Sequence, residues 1–319
     1  MMTITHKQMA LVAKFGVSIA VLWYLFAVAN VDAFLSRIAS LPPVFVALAW
    51  GYYAFCQWLS AYRWQLILAT EGIHLTLYRL FSFYMVGMFM NNFLPGAVGG
   101  DMVKSYDLYR ATGKGSHAVA SVFLERFTGL VGLAAIAVLA ALVSVGRVHS
   151  MLIWIAVLGT VALLVLVIVA IWSPRIARIV FGLLHRILPA GFAQRLRALH
   201  EVLLAYRKHK KTLWLAVFLS AIIQILFAIY YALTASVLGI DVSVLYFILF
   251  LPIVSITTMV PISFGGLGIR EAVMAILFAE VGVTTADVLS ISLTVFVINA
   301  ILSLWGGVIL LSRTTVRKA

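Results

Sequence analysis

Two stretches decide how this sequence folds. They are Asn91-Asn92-Phe93-Leu94-Pro95-Gly96-Ala97-Val98-Gly99-Gly100-Asp101, with Lys104 one turn on, and Pro261-Ile262-Ser263-Phe264-Gly265-Gly266-Leu267-Gly268-Ile269-Arg270-Glu271. Each interrupts an apolar segment, about 77–112 and about 244–280, with a proline and glycines and then with charge. Proline removes a helical N–H donor and glycine allows a sharp change of direction. Neither segment reads as one uninterrupted helix.

The surroundings of these stretches are strongly apolar. Hydrophobic residues form 64% of the 319 residues and charged ones 10%, with a mean hydropathy of +1.13. Soluble domains carry about a quarter charged residues, so water is not the solvent for most of this surface. Disorder requires the opposite bias. The single cysteine, Cys56, allows no internal disulfide.

A membrane-crossing helix needs ~20 apolar residues. About six stretches qualify, at 10–29, 44–68, 116–145, 150–172, 211–238 and 284–312. The first is too long for a cleavable signal peptide and is read as a retained helix. Segment 173–211 carries Arg175, Arg178, Arg186, Arg195, Arg197, Arg207, Lys208, Lys210 and Lys211. An excess of Lys and Arg marks the cytoplasmic side, and Lys7, Lys14, Arg313, Arg317 and Lys318 place both termini there. With helix 44–68 returning inward, Arg63 and Arg79 also fall on the cytoplasmic side. Parity then makes 77–112 a re-entrant hairpin from inside and 244–280 one from outside. A full crossing by 77–93 is the alternative, and it would export the basic linker. The expected fold is an all-α polytopic membrane protein, one transmembrane domain over 1–319, with about six full spans and two oppositely inserted hairpins.

Shifted by roughly 167 positions, the chain matches itself. Gln57 falls on Gln224, Ala61 on Ala228 and Gly72-Ile73 on Gly239-Ile240; with a one-residue gap, Pro95, Gly99, Gly100 and Lys104 fall on Pro261, Gly265, Gly266 and Arg270. Asn91-Asn92 falls on Thr257-Thr258. The matches are few, and a shared use of Pro-Gly turns would also produce some of them. Read as a repeat, 44–145 and 211–312 enter the membrane from opposite sides, a recurrent transporter plan.

Charges inside the apolar segments single out candidate residues, because each costs ~2.5–3.5 kcal/mol at the bilayer centre unless paired or wet. Asp101 is placed either to cap the returning helix or to serve a site. Lys104 lies in the first turn, where a cation opposes the helix dipole, and Arg270 occupies the equivalent position beside Glu271. Either these cations await an anion, or they pair within the protein, Arg270 with Glu271 or Glu125. Asn91, Asn92 and Ser263 would add neutral hydrogen bonds, with Pro95, Gly99, Gly100, Pro261, Gly265, Gly266 and Gly268 forming the turns. Glu125-Arg126 lie ~15 Å inside helix 116–145 and read as a buried ion pair. It is either a clamp on the first hairpin or a proton-linked or headgroup-contacting pair. Asp107 and Arg110 read as solvated or paired. Apolar residues at helical spacing in 173–211 suggest interfacial helices attracted to anionic inner-leaflet lipid; topology alone accounts for the charge equally well.

No phosphate-binding loop, zinc-protease motif or nucleophile elbow occurs. No enzyme activity, cofactor, metal or nucleic-acid partner is expected, and a homo-oligomer is compatible with the composition.

The two hairpin sequences resemble the paired signatures of the lysylphosphatidylglycerol synthase transmembrane-region family, the flippase-like part of the multiple peptide resistance factor, over nearly the whole chain. The resemblance implies lipid translocation; other members accompany glycosyltransferase or hopanoid genes. The sequence ends seven residues after position 312, so the soluble aminoacyl-transfer domain is expected to be missing and a lysylated cargo is not implied. The function expected is an anionic-lipid flippase or transporter of a bacterial inner membrane, with Lys104 and Arg270 holding a phosphate from opposite sides. The alternatives are a carrier of polyprenyl phosphate or a polyprenyl-linked sugar, and an accessory scaffold for a glycosyltransferase or another lipid-modifying enzyme.

Overall fold

The computed structural model describes residues 41–92, 99–143, 206–259 and 267–315, with position 36 and scattered positions between 151 and 165. The expected span 10–29, the linker up to residue 205, and the turn residues Pro95, Pro261, Ser263, Gly265 and Gly266 lie outside the described residues. Segment 150–172 is described only at scattered helical positions.

Among the described residues the continuous helices are α1 (Pro43–Ala69), α2 (Leu77–Asn91), α3 (Gly99–Thr112), α4 (Gly115–Val143), α5 (Lys210–Val237), α6 (Val244–Met259), α7 (Ile269–Ala279) and α8 (Thr285–Thr315). Four segments are long and apolar enough to cross a membrane: Pro43–Ala69, Gly115–Val143, Lys210–Val237 and Thr285–Ser312. They coincide with four of the stretches expected from the sequence. Their outer faces carry exposed Leu48, Trp214, Phe218, Trp305 and Leu311, the surface of a helix solvated by lipid. The chain is a multi-pass membrane protein.

The helices form two sets with the same wiring. In the first, α1 packs on α2 and α4, α2 on α3, and α3 on α4; in the second, α5 packs on α6 and α8, α6 on α7, and α7 on α8. Even the ends of the leading helices agree. Gly72 and Gly239 have φ of 64° and 74°. Beyond them Ile73 donates its N–H to Leu68 O at 3.1 Å and Ile240 to Ala235 O at 2.9 Å. This is a helix stop that only a left-handed residue permits, followed by a buried apolar one.

The sets interlock through α1 and α5, with α4 on α5 and α6, and α8 on α1 and α2. On α1 and α5, Tyr52 donates its hydroxyl to Leu226 O at 2.9 Å, whereas Arg63 reaches Ser220 Oγ at 2.5 Å. Numbers rise on one helix as they fall on the other, so the two run in opposite senses. Gln57 and Gln224, equivalent under the repeat, lie at the middle of this crossing.

Two of the close crossings depend on absent side chains. A Cβ on Gly306 would overlap the Met85 carbonyl, and one on Gly132 would stand 2.6 Å from Ser220 Cβ. Small residues at helix contacts are the membrane's substitute for a hydrophobic driving force. Gly132→Leu is expected to lower the thermal unfolding midpoint in detergent, by an overpacking cost of about 1–3 kcal/mol. Gly51→Leu, where a Cβ meets nothing within 4 Å, should leave it unchanged; equal behaviour of the two variants would contradict the packing described.

Candidate functional site

A cavity of about 340 Å³ opens beside the α1–α5 crossing, lined from α1 by Gln57, Ser60 and Arg63, from α2 by Tyr84 and Asn91, from α3 by Asp101 and Lys104, from α4 by Glu125 and Arg126, and from α5 by Gln224. Gln57, Ser60 and Arg63 recur at three-residue spacing, which puts them along one side of α1.

The charged residues form an alternating chain. Glu125 Oε1 accepts from Arg63 Nη2 at 2.5 Å and from the Tyr84 hydroxyl at 2.5 Å, and Glu125 Oε2 from Lys104 Nζ at 2.8 Å. Lys104 Nζ also lies 3.1 Å from Asp101 Oδ1. Asp101 in turn accepts two bonds from Arg126, Nε at 2.6 Å and Nη2 at 3.1 Å. Three cations thus alternate with two carboxylates, leaving one formal positive charge in excess. The Lys104 ammonium sits 4.1 Å from the centroid of the Tyr84 ring and 5.5 Å from that of Trp64, so aromatic faces replace part of its hydration.

Burial is uneven along the chain. The side chains of Lys104, Glu125, Arg63 and Asp101 are between 4% and 11% exposed, and that of Arg126 is 43% exposed. Arg63 Nε has no hydrogen-bond partner although buried. Four side chains are therefore buried, while that of Arg126, also in the cavity lining, is the most exposed of the five.

Two close-packed glycines allow this assembly. A Cβ on Gly87 would lie 3.1 Å from both Gly100 O and Lys104 Cγ, and a Cβ on Gly100 would overlap Gly87 O. α2 and α3 therefore approach closely enough for Tyr84 to reach Glu125 past Lys104. The N–H of Gly100 donates to Asn91 Oδ1 at 2.6 Å. Asn91 satisfies the start of α3, and the Asp101 carboxylate goes to Arg126 and Lys104 instead.

Asn91, Asp101, Lys104, Glu125 and Arg126 thus reach one cavity. Glu125 and Arg126 carry their hydrogen-bonded ion pairs to different partners rather than to each other. Asn92 donates to Ser303 Oγ on α8 at 2.7 Å. Arg270 and Glu271 are absent from the lining. Arg270 Nη2 bonds Glu271 Oε1 at 2.6 Å, Nε bonds Ser292 Oγ at 2.9 Å, and Glu271 Oε2 accepts the Gly268 N–H at 2.7 Å. Among the described residues, Arg270 is paired with Glu271 and Ser292 and does not line the cavity that Lys104 lines. Arg63, counted from sequence as a cytoplasmic charge, is buried in the cluster. Its signal is the polar side Gln57, Ser60, Arg63 on a largely apolar helix; Tyr84 and Ser220 have none.

The family described as the lysylphosphatidylglycerol synthase TM region matches residues 11–307. The chain belongs to this family. It is similar to a UPF0104 membrane protein of Pyrococcus horikoshii, 24% identical over 310 residues, covering 84% of this chain and 87% of the relative. A second UPF0104 membrane protein, from Methanothermobacter thermautotrophicus, is 26% identical over 283 residues, covering 82% of each. Both relatives are archaeal, so membership is not confined to bacteria.

Removing one member of a buried ion pair leaves an uncompensated charge and costs about 3–5 kcal/mol. Glu125→Ala leaves the buried Arg63 without a carboxylate partner and Lys104 with Asp101 alone, and should lose about that much in detergent unfolding. Adding Arg63→Met to Glu125→Ala should restore part of the loss. A double variant no more stable than Glu125→Ala would show that Arg63 and Glu125 are not coupled.

Proposed function

We propose that this family member transports an anionic, phosphate-bearing lipid between the leaflets of a cytoplasmic membrane, acting as a carrier rather than as an enzyme. The observation that carries the reading is the cavity at the α1–α5 crossing, with one cation in excess and the Asp101-paired Arg126 side chain partly exposed. A lipid phosphate supplies the charge that this lining lacks. The acyl or prenyl tails stay in the bilayer while the headgroup crosses the wet cavity.

The lengths of the short helices support a re-entrant arrangement. At 1.5 Å per residue, α2 and α3 extend ~22 and ~21 Å and α6 and α7 ~24 and ~16 Å, less than the ~30 Å of hydrocarbon. α2 packs on α3 and α6 on α7, as the limbs of two hairpins would. The opposite senses of α1 and α5, with Gln57 and Gln224 meeting at their centre, fit repeats inserted in opposite directions. Rocking one repeat against the other about that centre would expose the cavity to each side in turn. The basic linker would hold anionic inner-leaflet lipid near the entrance.

The neutral part of the lining favours a second cargo of the same charge class. Gln57, Asn91 and Gln224, with the rings of Tyr53 and Phe227, suit the hydroxyls and apolar faces of a sugar. A polyprenyl-linked sugar phosphate fits this chemistry, and mass spectrometry of lipid co-purified with the protein separates it from a glycerophospholipid.

Leaflet exchange of fluorescent phosphatidylglycerol in reconstituted vesicles tests the proposal. Wild type should exceed protein-free vesicles. Arg126→Gln should slow exchange about 10- to 100-fold, the value of one charge-assisted hydrogen bond at ~1.5–3 kcal/mol. Equal rates with and without protein, or an unaffected variant that is folded, would instead favour a scaffold for a partner enzyme.

A further inference from the structure

Resting on the transport reading, we propose that Asp101 is an internal stand-in for the lipid phosphate: the phosphodiester displaces the Asp101 carboxylate from Arg126 and takes its place on the guanidinium fork. Arg126 holds Asp101 through two parallel bonds, Nε to Oδ2 at 2.6 Å and Nη2 to Oδ1 at 3.1 Å. A guanidinium presents this same fork to the oxygens of a phosphate.

Three features mark this pair, rather than its neighbours, as the exchangeable one. The Arg126 side chain is 43% exposed, while Arg63, Lys104 and Glu125 are held at 8% or less. Asp101 already touches Lys104 Nζ at 3.1 Å, so losing Arg126 does not leave a bare carboxylate. Gly129, one turn along α4 from Arg126, also lines the cavity and contributes no side chain to obstruct a headgroup.

The charges specify the ligand class. Arg63, Lys104 and Arg126 against Asp101 and Glu125 leave one positive charge, which one phosphodiester neutralises. The site therefore matches a monoanionic lipid phosphodiester whose headgroup has no compensating cation. Release is the reverse exchange, with Asp101 returning to Arg126, so the cation is never left uncovered in either state. The internal carboxylate sets the affinity below that of a free guanidinium and permits turnover.

The sign of one substitution separates this arrangement from a conventional site. Phosphatidylglycerol and phosphatidylcholine binding to the full chain in detergent would be measured by native mass spectrometry for wild type, Asp101→Asn and Arg126→Gln. Removing the competitor should make Asp101→Asn bind phosphatidylglycerol about tenfold more tightly, and Arg126→Gln should weaken it by about tenfold or more, one charge-assisted bond in each direction. Wild type should prefer phosphatidylglycerol. If it does so but Asp101→Asn binds no more tightly, Asp101 is an ordinary part of the site and the exchange is overturned while the transport reading stands. If wild type does not distinguish the two lipids, the anionic-cargo reading fails and the exchange with it. Should Asp101→Asn not fold, isotope-edited infrared spectra of wild type labelled with carboxyl-¹³C aspartate decide. A carboxylate band that shifts on adding phosphatidylglycerol but not phosphatidylcholine supports the exchange, and an unshifted band overturns it.

Discussion

The structure around the cavity depends on one carboxylate. Glu125 lies about a third of the way along an apolar helix, where a lone charge would be expelled. It is retained because Arg63 and Lys104 approach it from two other helices and Tyr84 donates to it from a third. These bonds draw α1, α2, α3 and α4 onto a single point, and Arg63 extends the network to Ser220 on α5. In a medium of low polarity such charges hold only as an alternating series, because a vacancy anywhere leaves its neighbour unpaired. The closeness of α2 and α3 at Gly87 and Gly100 is the steric condition for that series.

The two helix sets share a scaffold but not a chemistry. Lys104 belongs to a network of five charges beside a cavity, whereas Arg270, its counterpart by sequence, is closed onto Glu271 and Ser292. The acidic residue stands at a different spacing from the cation in the two sets. Asp101, three residues before Lys104, leans between two cations from separate helices; Glu271, directly after Arg270, folds back to the N–H of Gly268 and the hydroxyl of Ser292. The second set thereby becomes a neutral, self-satisfied frame against which the first can carry a polar site.

Sequence alone revealed the long helices, because their apolar lengths match hydrocarbon thickness, and it matched Gly72 to Gly239, both of which the structure places at left-handed helix ends. It also flagged Asp101, Lys104, Glu125 and Arg126, since charge in an apolar segment is conspicuous wherever it points. What it could not reveal was pairing. Glu125 and Arg126 are neighbours along the chain, yet successive helical residues point about 100° apart, so one faces Arg63 and the other Asp101. Counting cations treats Arg63 as a topological label and says nothing of its burial. Its partner stands 62 residues away on another helix, and no local pattern announces it. Lys104 and Arg270 were equated by position, but position in a repeat does not specify which surface each copy turns toward the cavity.

The near-neutrality of the cluster also bears on turnover. A cavity lined by three unpaired cations would bind an anion deeply and release it slowly, since the lost Coulomb energy in a partly dehydrated site is large. Two carboxylates reduce that excess to a single charge, and Arg126 is the most exposed cation of the series. Passage across a membrane requires attraction sufficient for entry and weak enough for departure. Under the transport proposal, the alternating chain would meet both requirements with the same residues that hold the helices together.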